Sequence, residues 1–71
     1  MKFNPYDYNY SYSEWEHIIN EAVLNERDRI IMRRKLLDKI TFERLAEEVD
    51  MSVRQVQRIV KKQLNRIIKY V

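Results

Sequence analysis

Residues 41–60 read TFERLAEEVDMSVRQVQRIV, and this stretch decides the fold. Thr41 and Ser52 each stand where a hydroxyl can accept an unpaired backbone N–H at the start of a helix. Gln55, three residues after Ser52, completes a capping box. Phe42, Leu45, Ala46 and Val49 recur at helical spacing, and Asp50-Met51 turns the chain. Two short helices joined by a tight turn bring their backbones close where they cross, so the first needs a small residue there. Ala46 supplies it, and Leu45, Val49, Met51, Val56 and Ile59 are placed to fill the angle between the helices. Val56 follows Ala46 by ten residues and Ile59 follows Val56 by three. These are the spacings of a helix-turn-helix. The chain has no glycine, so Asp50 occupies the left-handed position of the turn. Asp is one of the few other residues that tolerate it.

Working outward, a long fourth helix follows Ser52 and reaches about Lys69. Upstream, Asn25-Glu26-Arg27-Asp28 reads as a cap with acids in the first turn, opening a helix to about Leu37. Its expected core residues are Ile30, Ile31 and Leu37, with Leu36 and Met32 as further candidates. Asp38-Lys39 makes the next turn. Ser13-Glu14-Trp15-Glu16 fits another capping box, followed by an apolar stripe of Trp15, Ile18, Ile19, Ala22 and Val23. Tyr6, Tyr8, Tyr10 and Tyr12 alternate with period two but have no partner strand, so residues 1–12 are expected to form a tail. Residues 13–71 then make a single all-α domain of four helices.

Composition agrees. Seventy-one residues allow one small domain. The absence of glycine argues against β-hairpin folds and removes phosphate-binding loops and dinucleotide fingerprints. The absence of cysteine removes disulfides and thiolate metal sites. His17 is the only histidine and is expected at the surface. Glu43 and Glu47, an i, i+4 pair, are expected on the outward face of the third helix. No nucleophile–base pair is visible, so the expectation is a non-enzyme with no metal, no cofactor and no small-molecule substrate. No apolar run approaches a membrane span and no signal peptide opens the chain, so a cytoplasmic protein without membrane contact is expected.

Charge points to a partner. The net +3 conceals a division. Residues 1–24 hold one base against four acids, whereas residues 25–71 hold thirteen against seven. Residues 52–71 carry Arg54, Arg58, Lys61, Lys62, Arg66 and Lys69 and no acid. A basic segment of this kind favours an anionic partner, most often nucleic acid.

NERDRIIMRRKLL, a short turn, and TFERLAEEVDMSVRQVQRIVKKQLNRI together resemble region 4 of the sigma-70 family of bacterial transcription initiation factors, and the related helix-turn-helix of response regulators. The resemblance covers residues 25–69. It implies a bacterial or phage protein that places the fourth helix in the major groove of promoter DNA, with contacts mapping onto Val53, Arg54, Gln57 and Arg58. Val53 departs from the family pattern, where a polar or basic residue is usual, so a different site is expected to be read. The family's polymerase-core-binding and DNA-melting domains have no room in 71 residues, so a complete sigma factor is not expected. Because the family region also contacts polymerase, the competing expectation is a protein-interaction module that binds RNA polymerase.

A helical wheel gives an independent reading at 100° per residue. With Val56 as the buried centre, Ile59, Val60, Gln63 and Ile67 lie within about 60° of it, and Arg54, Arg58, Lys61 and Asn65 within about 40° of the opposite pole. Helices that enter the major groove read bases mainly through their N-terminal residues. Arg pairs with guanine and Gln with adenine. Arg54, Gln55, Gln57 and Arg58 are therefore the base-contact candidates. Lys61, Lys62 and Arg66 are better placed for phosphate, and Arg44 on the preceding helix for the DNA backbone. Leu64 and Ile68, at about 80° and 120° on the wheel, continue an apolar edge toward Val71. That edge is expected to pack within the chain, and a homodimer is the other use of it.

Overall fold

A computed structural model describes residues 10–70. It contains four helices, α1 (Tyr12–Ala22), α2 (Glu26–Leu36), α3 (Phe42–Val49) and α4 (Val53–Tyr70), and no strand among the described residues. The all-α reading therefore holds.

The helix boundaries follow from capping. Asn25 Oδ1 accepts from Asp28 N–H, Thr41 Oγ1 from Arg44 N–H, and Ser52 Oγ from Gln55 N–H. Gln55 Oε1 accepts in return from Ser52 N–H at 3.0 Å. Asp50 ends α3 in the left-handed region, at φ 56° and ψ 48°, and its N–H and that of Met51 satisfy late carbonyls of α3. Lys39 also takes a positive φ of 56°, in the turn that closes α2.

Two expectations are corrected. The first helix opens two residues earlier, because Ser11 and not Ser13 is the cap: Ser11 and Glu14 form the reciprocal box. Both serines have a Glu three residues on, so the local rule does not choose between them. Packing chooses. With Ser11 as cap, Tyr10 precedes the helix and meets Trp15 edge-on, with ring centroids 5.3 Å apart. This is the hydrophobic staple that fixes how a chain enters a helix. The expected tail boundary at residue 12 therefore moves back; Tyr6 and Tyr8 lie outside the described residues.

The second correction concerns α2. Its buried side is Asp28, Ile31, Met32 and Leu36, while Ile30 is 45% exposed. Among three consecutive apolar residues, a helix turning 100° per residue can aim only two at one core. Leu37 is half-buried against the core.

α4 is the central strut and packs on α1, α2 and α3. Its stripe of Val56, Val60, Gln63 and Ile67 is buried against Trp15, Ile18, Ile19 and Val23 from α1 and its end, Ile31, Met32 and Leu36 from α2, and Leu45 and Ala46 from α3. Leu64 packs at the edge of this core, but Ile68 is 40% exposed, so the apolar edge is covered within the chain only in part. Met32 is fully buried and Met51 half-buried.

Side chains from α2 secure its neighbours. α1 has no basic residue in its last turn, and Arg29 reaches back to it, donating to the carbonyls of Val23 at 2.6 Å and Asn20 at 3.0 Å. This satisfies carbonyls that the helix end leaves open. Arg34 forks onto Glu48 of α3 at 2.8 and 2.6 Å and also donates to Asp38 at 2.7 Å. A bidentate fork of this kind fixes orientation as well as distance.

Candidate nucleic-acid interface

The turn at residues 50–52 presents the first turn of α4, and the buried stripe turns the helix's other side outward. Arg54, Gln57, Arg58, Lys61, Lys62, Asn65, Arg66 and Lys69 are all exposed. Six of these are cations on one helix, and among the described residues none makes an ion pair. Its C-terminal half borders a shallow depression of about 410 Å³ lined by Arg58, Lys61, Lys62, Asn65, Arg66 and Lys69. An unpaired row of like charges raises the local positive potential and attracts a polyanion.

The expected contact residues are not equivalent. Arg54, Gln57 and Arg58 stand free in the first two turns. Gln55 is exposed, but its side-chain oxygen is turned back to accept from Ser52 N–H in the cap, which leaves it less free than Gln57 for a bidentate contact. Val53 is half-buried and packs toward the core. Arg44 lies on α3 with its side chain 72% exposed and Nε 3.7 Å from Glu48, a loose pair that leaves it accessible. Lys61, Lys62 and Arg66 continue the basic face toward the C-terminus.

Beside this face, Glu48, Arg34 and Lys35 are engaged within the chain. Glu48 is held below the usual carboxylate range, chiefly by its hydrogen bonds from Arg34. Arg34 is raised above its usual value, first by Glu48 and then by Asp38. Lys35 Nζ donates to the Ile40 carbonyl and lies 4.2 Å from the centre of the Phe42 ring. Glu43 and Glu47 are exposed on α3, and His17 is exposed on α1, as the sequence indicated.

The sequence reading passed over one pair. Asp28 is buried, not an exposed capping acid, and it accepts a hydrogen bond from Gln63 of α4. The signal was present on the helical wheel. An amide on the apolar stripe of α4 needs a buried polar partner, although nothing local names it.

Among the described residues, no group of three or more His, Cys, Asp or Glu is placed to hold a metal ion, and no helix is long and apolar enough to cross a membrane. Comparison with protein-family models, with curated proteins and with solved structures returns no match.

Proposed function

We propose that this chain is a sequence-specific double-stranded DNA-binding protein, a transcription regulator that reads the major groove with the N-terminal half of α4. The observation that carries the reading is the outer face of α4: six exposed cations, no acid, and no internal ion pair among the described residues. Eighteen residues make a helix of about 27 Å. A major groove about 12 Å wide accepts its first turns, and the remainder runs out over the phosphates. Arg54, Gln57 and Arg58 then face base edges. Gln55 contributes its amide donors. Lys61, Lys62 and Arg66 neutralise phosphates, and Arg44 adds a backbone contact from α3. The sigma region 4 resemblance of residues 25–69 supports the same placement.

The test is selection from random duplex DNA, followed by titration of the selected site at several salt concentrations. With about 4–5 phosphates neutralised, the log–log slope of affinity against salt is expected near −4. A slope near zero removes DNA as the partner. Arg58→Ala is expected to cost about 1–3 kcal/mol of discrimination at one base pair. Equal loss on selected and scrambled duplexes rejects a base contact for Arg58. Capture of RNA polymerase without retention on DNA would favour the protein-interaction reading instead.

A further inference from the structure

Among the described residues, the two buried polar ones face each other where α2 packs on α4. Asp28, in the first turn of α2, is 5% exposed, and Gln63, midway along α4, is 3% exposed. Gln63 Nε2 donates to Asp28 Oδ2 at 2.7 Å across 35 residues of chain. Arg27 Nε donates to the other carboxylate oxygen at 3.3 Å. Gln63 Oε1 is buried and has no partner among the described residues.

As a source of stability this arrangement is poor. A buried carboxylate and a half-satisfied amide are generally matched or exceeded by apolar residues of similar volume. The pair supplies direction. Val56, Val60 and Ile67 pack by shape and area, and cores tolerate small rearrangements of apolar contacts at modest cost. A hydrogen bond weakens steeply once its distance and angle depart from ideal. Rotating a helix by 20° about its axis moves side-chain ends, about 5–6 Å from that axis, by about 2 Å. That breaks the Asp28–Gln63 contact. On the opposite side of α4, the same rotation swings Arg54 and Arg58 by at least as much.

We infer that Asp28 and Gln63 are positioning residues that set the rotation of α4 about its axis against α2, and so aim Arg54, Gln57 and Arg58 at the base edges. The part concerning bases rests on the DNA-reading function proposed above. The pair touches no DNA itself. It converts a helix that would bind duplex with little regard to sequence into one that discriminates.

Two measurements on the full chain test this. The first needs no DNA. The chain lacks cysteine, so spin labels can be placed at Ile30→Cys and Ile68→Cys, both exposed positions, and their distance distribution recorded. Asp28→Leu/Gln63→Leu is expected to keep or raise the thermal midpoint and to broaden that distribution. In the second, without labels, the double variant is expected to keep its affinity for scrambled duplex and its salt slope, while its preference for the selected site falls at least tenfold. Asp28→Asn retains an acceptor for Gln63 and should restore both wild-type readings. If the leucine pair does not fold, Asp28→Ala/Gln63→Met is judged by the same readouts. A distribution as narrow as in wild type, or a preference within twofold of wild type, overturns the inference. If wild type binds no duplex, the DNA reading fails separately, and the distance distribution alone decides whether the pair positions α4.

Discussion

α2 and α4 are both rich in Arg and Lys, and they use them in opposite ways. α2 carries Arg27, Arg29, Arg33, Arg34 and Lys35, and every one is engaged. Arg27 meets Asp28, Arg29 holds the end of α1, Arg33 donates to the Asn20 side chain, Arg34 forks onto Glu48, and Lys35 reaches the Ile40 carbonyl. α4 carries six cations, and none has an ion-pair partner among the described residues. Residue counting treats the two helices alike. The cations of α2 are structural, since they satisfy carbonyls and carboxylates that packing would otherwise strand. Those of α4 leave their positive field uncompensated by any ion pair among the described residues.

The comparison breaks most readily on the α4 side. Lys61→Ala/Lys62→Ala/Arg66→Ala is expected to weaken duplex binding roughly 100-fold at moderate salt and to flatten the salt slope by about 3. Stability should change by no more than about 0.5 kcal/mol, because these side chains hold nothing within the chain. A parallel loss of thermal stability would show that the α4 cations are structural after all.

On the α2 side the expected effects reverse. Arg29→Ala removes charge-assisted hydrogen bonds to the last carbonyls of α1. It should destabilise the fold by about 1.5–3 kcal/mol, measured by denaturant titration. The folded fraction should bind duplex as wild type does. A selective loss of DNA affinity without loss of stability would move Arg29 into the interface.

The smallest effect concerns pH and sharpens the role of Arg34. The Glu48 carboxyl titrates below its usual value in the folded state because Arg34 hydrogen-bonds its charged form. A depressed folded pKa contributes stability that is present above the unfolded pKa and is lost as pH falls through the folded one. Glu48→Gln should therefore lower stability at neutral pH and flatten its decline on acidification below about 4.5, the ordinary glutamate value. An unchanged acid profile would assign the pairing no role in holding α3 to α2. Binding to duplex near neutral pH should change little.

Much of this architecture is local and can be read along the chain. The caps at Asn25, Thr41 and Ser52 and the left-handed turn at Asp50 each depend on residues no more than about four positions apart. The buried stripe of α4 repeats on the same short period, so a helical wheel finds it. The acid-free segment from residue 52 onward is visible by inspection. Other features have no local signature. Ser11 and Ser13 satisfy the same capping rule, and the Tyr10–Trp15 contact selects Ser11. Ile30 and Met32 are equally apolar, and the placement of α1 and α4 around α2 buries Met32. Gln55 satisfies both the capping rule and the rule for reading adenine, and the hydrogen bond to Ser52 commits its oxygen to the cap. Arg34 finds Glu48 14 residues away and Gln63 finds Asp28 35 residues away. Propensity, capping and periodicity act over about one turn of helix, so they define the helices and their apolar sides. Which cations are consumed in holding the fold, and which are left unpaired on the surface, depends on groups that become neighbours only when the helices pack.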